Sequence, residues 1–285
     1  MRIVLYLSCL LLTLTINVSA SQNETPKITE KSMVNTSDFN NDPNECIMLI
    51  HGFGGSIVDF KPLTDIFDSL GVNYYAITLS GHGTTPEDLK DVKHEAWLAE
   101  SSNAFDSLSL IYDRVSLIGF SMGGAICIIL SSKRNVHKLT VLSPYFEVNK
   151  KWYYFGKPEI WAKRFSNVFT YIKKLKIGQI NDPKGLEKYD AYRKVPLQAV
   201  TELSEIGKLA LSQIADVRSP ILWLHSKKDI VSDFTLSKNS FDRVTSTEKT
   251  FIKFSESNHI ILYDYESNDA INEILKFLGV AEHLY

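Results

Sequence analysis

Residues 114–130 read RVSLIGFSMGGAICIIL, and this run limits the possible folds more than any other part of the chain. A short apolar stretch, a glycine-flanked turn and a longer apolar stretch follow one another with little polar surface. Elements that are apolar all round must be covered on every side. A strand of this kind suits the middle of a parallel sheet layered between helices, and the helix after it packs straight back onto that sheet. The turn, Gly119-Phe120-Ser121-Met122-Gly123, is a G-x-S-x-G pentapeptide. In a sharp strand-to-helix turn the central serine takes strained backbone angles, and the flanking glycines remove side chains that would collide. Ser121 then projects its hydroxyl above the sheet at a helix N-terminus, where developing negative charge is favoured. Without that context the pentapeptide is a glycine-rich turn with a capping serine.

The rest of the chain repeats the alternation. Apolar runs at 46–51 (CIMLIH), 73–79 (NYYAITL), 138–142 (KLTVL), 221–225 (ILWLH) and 250–254 (TFIKF) read as strands beside 114–119. Helical patterns fall at 59–70, 94–112, 122–132, 233–241 and 269–278. This order predicts an α/β fold with one mostly parallel, doubly wound sheet built from right-handed βαβ units. The interval 142–221 breaks the rhythm and is rich in Trp, Tyr and Phe. Within it Trp161, Ala162, Phe165, Val168, Phe169 and Ile172 share one helical stripe, and Pro158 suits that helix's first turn. A helical cap inserted here, before the penultimate core strand, would lie over the sheet edge where α/β ligands bind. The expected organisation is a core at 45–144 and 215–285 with a cap or lid at 145–214.

Ahead of the core, Arg2 is followed by an apolar run and then by Val18-Ser19-Ala20. A positive start, an apolar stretch and a small-residue site make a secretory signal. Residues 1–20 are therefore expected to direct export to a secreted or periplasmic location, with cleavage before Ser21; an uncleaved membrane anchor is the alternative. Residues 21–44 are polar and aperiodic, which predicts a flexible leader. Cys46 and Cys127 could pair after export, although buried unpaired cysteine is common. Thirty-one basic against 33 acidic side chains leave a net charge of −2. With no nucleic-acid motif present, that balance calls for no polyanionic partner. Between Lys150 and Lys176 the balance is local: eight basic residues stand against Glu159 alone. A cap with solvated lysines is the simpler reading, and peripheral contact with an anionic lipid surface is the other.

A serine hydroxyl needs a base, and among seven histidines His259 has the right placement, in the loop between the last strand and the final helix. His225 closes a strand and reads as packing. The base needs an orienting carboxylate, and Asp229 leaves the penultimate strand where it can reach the far imidazole nitrogen, fixing the tautomer and stabilising the imidazolium. Asp233 reads as a helix N-cap, and Asp264 follows His259 too closely for the usual order. Two backbone N–H groups should receive the carbonyl oxygen: that of Met122, after the nucleophile, and that of Phe53, in the HGFGG loop after the first core strand. HGFGG lacks the Lys-Ser/Thr of a phosphate loop. No metal-ligand cluster or cofactor motif stands out.

HGFGGS, SGHGTTPEDL, GFSMGG, the late Asp229 and SNHIILYD together resemble bacterial carboxylesterases and monoacylglycerol lipases of the α/β-hydrolase superfamily. The resemblance runs from about Cys46 to Leu278 and is loose in the 145–214 insertion. It implies Ser121, Asp229 and His259 as a triad, Phe53 and Met122 as oxyanion donors, and cofactor-free hydrolysis of short- to medium-chain acyl esters or monoacylglycerols. It also implies a structural loop role for His82. Thr78-Leu79-Ser80 stands where such proteins often carry an acid, a departure that touches loop packing. Thioesterase, lysophospholipase and carbon–carbon hydrolase chemistry keep the same triad and stay open here, as does a non-catalytic ligand receptor. Acyl length, alcohol group and oligomeric state leave no mark in the sequence.

Overall fold

In the central strands, alternate side chains face opposite layers, and both faces are apolar. Cys46, Met48 and Ile50 join one buried cluster, whereas Ile47 and Leu49 join the other. Ile221 and Trp223 divide from Leu222 and Leu224 in the same way. The structure, a computed structural model, describes residues 33–35, 44–148, 171–173 and 179–280. Its main sheet contains β1 (Met33–Asn35), β2 (Glu45–Ile50), β3 (Tyr74–Ile77), β4 (Arg114–Phe120), β5 (Leu139–Leu142), β8 (Ile221–Ser226) and β9 (Lys249–Phe254). The spatial order is β1-β3-β2-β4-β5-β8-β9, parallel throughout except for β1, which runs antiparallel to β3. A separate antiparallel pair joins β6 (Tyr171–Lys173) to β7 (Lys194–Pro196).

The helices are α1 (Lys61–Leu70), α2 (His94–Leu108), α3 (Met122–Ser131), α4 (Pro183–Lys188), α5 (Leu197–Gln213), α6 (Phe234–Asp242) and α7 (Ser267–Leu278). The first cluster lies under α2, α3, α5 and α6, and the second under α1 and α7. All ten residues of α3 are buried, as a helix without a polar face requires. The expected α/β fold and mostly parallel sheet are therefore present.

Three details differ from the sequence reading. Met33–Asn35, inside the expected flexible leader, forms an edge strand on β3. An edge supplies free backbone donors and acceptors, so pairing there needs no apolar period. Ile172, the last member of the helical stripe, sits in β6 opposite Val195. Leu197–Gln213, inside the interval expected to be cap, packs along α3 and places Ala199, Val200, Leu203, Ile206 and Ala210 in the first cluster. The expected signal at 1–20, the stripe from Trp161 to Phe169 and most of the basic residues between Lys150 and Lys176 lie outside the described residues. No helix among the described residues is long and apolar enough to cross a membrane. Cys46 and Cys127 are both free and buried; burial pushes the Cys46 thiol up to about 12 and raises that of Cys127 further.

Candidate active site

The turn from β4 into α3 brings the helix very close to β2. A Cβ on Gly123 would lie 1.8 Å from the Ile50 carbonyl oxygen, and one on Gly119 would lie 2.4 Å from that of Gly123. Only glycine fits at either place. Between them Ser121 has φ 53° and ψ −113°, a left-handed φ that costs a residue with a Cβ on the order of 1–3 kcal/mol. The strain is held from both sides: Ser121 N–H donates to the Leu142 carbonyl at 2.9 Å, and the Ser121 carbonyl accepts from Tyr145 N–H at 3.0 Å. The serine hydroxyl stands at the C-terminal edge of the sheet, and α3 begins at the next residue.

His259 comes to the same edge from the loop after β9. Its Nε2 lies 3.0 Å from Ser121 Oγ, and its Nδ1 lies 2.8 Å from Asp229 Oδ2. Asn258 sets the loop, its Oδ1 accepting from His259 N–H at 2.9 Å and from Ile230 N–H at 3.1 Å. One amide oxygen thus ties the histidine loop to the carboxylate loop. Asp264 is buried and accepts four backbone N–H groups, those of Asn181, Asp182, Asn258 and Tyr265. It therefore shapes the histidine loop and does not face the imidazole. The Phe120 ring packs on His259 at 5.1 Å between centroids.

Asp229 leaves β8 in a turn that turns its carboxylate inward. Oδ1 accepts Val231 N–H at 2.7 Å and Ser232 N–H at 2.8 Å, leaving Oδ2 to face the imidazole. Burial alone would raise this carboxyl. The neighbouring His259 and His225 outweigh burial and hold it well below the usual carboxylate range. The group is ionised and buried, the condition for stabilising an imidazolium beside it. Asp233 takes the role read from the sequence, its carboxylate accepting Leu236 N–H at 2.8 Å as the N-cap of α6.

The loop after β2 presses against the serine. A Cβ on Gly52 would meet the Phe120 ring at 2.9 Å and Ser121 Cβ at 3.3 Å, so the backbone passes closer to Ser121 than a side chain would allow. Phe53 follows, its ring packed edge-on against His82 and Trp97. Asp59, not singled out by the sequence, anchors the loop by accepting Gly52 N–H at 2.8 Å and the Tyr189 hydroxyl at 2.8 Å. Leu79 N–H donates to His51 Nε2 at 3.1 Å, which leaves Nδ1 to donate to the Gly52 carbonyl at 2.9 Å. His82 is buried, with Nδ1 3.1 Å from the Ser80 carbonyl.

Ser121, His259 and Asp229 are thus brought into one hydrogen-bonded line, with Gly52 and Phe53 beside it and Met122 at the start of α3. That arrangement can remove a hydroxyl proton, stabilise the resulting cation and offer N–H dipoles to an oxygen gaining charge. Among the described residues, one group of metal-ligating side chains lies close together: His94, Glu95 and Glu202. There Lys93 Nζ already pairs with Glu202 at 2.8 Å, tying α2 to α5. A groove of about 870 Å³, lined in part by Arg114, Lys133 and Arg218, opens at the opposite, N-terminal edge of the sheet.

Residues 41–266 match the family model described as serine aminopeptidase, S33. A carboxylesterase from Bacillus subtilis is 22% identical over 237 residues, covering 82% of this chain and 92% of the relative. A thermostable monoacylglycerol lipase from Bacillus sp. is 23% identical over 237 residues, covering 82% and 90%. Among solved structures, one from work on the metagenome-derived lipolytic enzymes LipS and LipT superposes with a TM-score of 0.77 at 21% identity, covering 87% of this chain and 97% of that one.

Proposed function

The chain belongs to the family described as serine aminopeptidase, S33, and on that premise we propose that it hydrolyses carboxylic esters through an acyl-enzyme formed on Ser121. It is a serine hydrolase of the esterase and lipase type. The observation that carries the reading is the unbroken line from Ser121 Oγ through both nitrogens of His259 to Asp229 Oδ2, at 3.0 and 2.8 Å. As Ser121 Oγ attacks the ester carbonyl, His259 Nε2 takes its proton and Asp229 stabilises the imidazolium. The oxygen gaining charge points at the backbone N–H groups of Met122 and Phe53. Collapse breaks the bond to the alcohol, which leaves with the proton from Nε2. Water, deprotonated by the same nitrogen, then attacks the acyl carbon and releases the acid and Ser121.

The family's description names a peptidase, whereas the two relatives described above, each aligned over 82% of the chain, are a carboxylesterase and a monoacylglycerol lipase. Short- to medium-chain acyl esters or monoacylglycerols are therefore the substrates of this reading. It includes export, with a mature N-terminus at Ser21 that sequencing of the exported protein would reveal. Peripheral contact with anionic lipid through the basic residues of 150–176 would appear as salt-sensitive co-sedimentation with anionic vesicles.

The central test uses the purified protein with p-nitrophenyl butyrate, a monoacylglycerol series and an amino-acid p-nitroanilide. Ester turnover should exceed anilide turnover, and a fluorophosphonate should label Ser121. Ser121→Ala should abolish labelling and lower kcat by at least about a thousandfold. Parent-like turnover by Ser121→Ala would remove the mechanism.

A further inference from the structure

Asp229 meets a second imidazole. His225 lies on β8 two residues after Trp223, so both side chains point into the same layer. Both are fully buried, as is Ser237 on α6. Trp223 Nε1 donates to Ser237 Oγ at 2.9 Å, and the same oxygen lies 2.7 Å from His225 Nδ1. An indole N–H can only donate, so Ser237 Oγ accepts there and has one proton to give. Giving it to His225 Nδ1 makes that nitrogen the acceptor, and the proton of the neutral ring is then on Nε2.

That N–H has one carboxylate to face. His225 Nε2 lies 3.1 Å from Asp229 Oδ2, the oxygen that also meets His259 Nδ1. The approach is oblique, short of the alignment of a full hydrogen bond, so the attraction is mainly between the N–H dipole and the anion. The other tautomer would set a ring lone pair against a carboxylate oxygen in a site without water access. The Phe234 ring, edge-on at 5.6 Å, closes the pocket around the imidazole. We propose that His225 is a positioning residue for the triad: locked by Trp223 and Ser237, its Nε2–H holds Asp229 Oδ2 in line with His259 and shares the carboxylate charge between two rings.

The inference rests on the role given to Asp229 above, and it assigns His225 a part beyond packing. Two near-isosteric variants separate the possibilities, because the amide of Gln reaches about as far as Nε2 and the shorter amide of Asn only about as far as Nδ1. His225→Asn keeps a partner for Ser237 and loses the donor to Asp229. It should lower kcat about tenfold with KM within twofold of the parent. Its kcat/KM–pH profile should also have an acidic limb displaced to higher pH, because a carboxylate relieved of one donor holds the imidazolium proton more tightly. His225→Gln should recover most of the rate and the parent's acidic limb. Equal behaviour of the two variants, or a rate loss with an unmoved acidic limb, would overturn the proposal and leave His225 as packing. Fluorophosphonate labelling of the parent keeps the two failures apart: an unlabelled parent sinks the triad itself, whereas a labelled parent with indistinguishable variants sinks only the part given to His225.

Discussion

Asp59 is 1% exposed, and its carboxylate holds two parts of the site. It accepts Gly52 N–H from the loop beside Ser121 and the hydroxyl of Tyr189, whose ring meets that of Tyr263 edge-on at 5.1 Å between centroids. The Tyr263 hydroxyl in turn donates to the Val58 carbonyl at 2.7 Å. Burial first, and then the Asp59 charge, push both phenols well above their ordinary value, so each remains a donor at any working pH. Asp59→Ala would strand two buried donors, each costing about 1–3 kcal/mol. It would also release the loop that presents Phe53. We expect kcat on p-nitrophenyl butyrate to fall at least about tenfold and urea unfolding to occur at lower denaturant. Tyr189→Phe removes one hydrogen bond to a buried carboxylate and should cost about 1.5–3 kcal/mol with kcat nearly unchanged; a large loss of kcat there, or none in Asp59→Ala, would contradict this division. Nothing in the sequence marks this role. By its position Asp59 only opens the helical pattern at 59–70, just after Ser56, whose hydroxyl accepts Val58 N–H at 3.3 Å. Asp59 instead turns inward, a choice made by Gly52 and Tyr189, which lie 7 and 130 residues away.

Elements whose geometry is decided locally were legible, and those decided by a distant partner were not. The turn from β4 to α3 carries its own instructions in Gly119, Ser121 and Gly123, so its position follows from five residues. The places of His259 and Asp229 after successive strands follow from chain order along a parallel sheet. By contrast, Ile172 fits a helical stripe by spacing and is claimed by Val195 across β6 and β7. The docking of α4 is equally hidden. Gly185 touches the histidine loop so closely that a Cβ would stand 1.6 Å from the Tyr263 carbonyl oxygen. Both atoms it would meet under 3.0 Å are Tyr263 backbone, with the Ile180 side chain farther off at 3.4 Å, so no side chain can swing away to relieve the clash. Gly185→Ala should push α4 outward and strain the bonds from Asn181 and Asp182 to Asp264, at a cost of about 1–3 kcal/mol. For a protein of this size that is a fall in Tm of roughly 2–12 °C. Calorimetry checks the number, and an unchanged Tm would mean that α4 does not dock there.

At the scale of the whole molecule, the buried carboxylate that faces His259 also bears on stability. Asp229 takes two backbone N–H groups on one oxygen and faces two imidazoles with the other. In the unfolded chain none of these partners is held in place and the carboxyl titrates near 3.9. In the fold, burial opposes ionisation, but His259 and His225 prevail and the carboxyl is held lower. A carboxyl depressed by folding stabilises the native state fully above its unfolded value. That stabilisation is lost as pH falls from about 4 toward the folded value, because the unfolded chain then binds the extra proton. The linkage predicts an added slope of up to about 1.4 kcal/mol per pH unit in the unfolding free energy below pH about 4, from this single group. Asp229→Asn has no such proton to bind. Its unfolding free energy, measured by urea titration between pH 2 and 7, should start lower at neutral pH and fall less steeply in acid, so that the two curves converge. Parallel curves would mean that the carboxyl titrates alike in both states, and the charge held beside His259 would then be no stronger than that of a solvated aspartate.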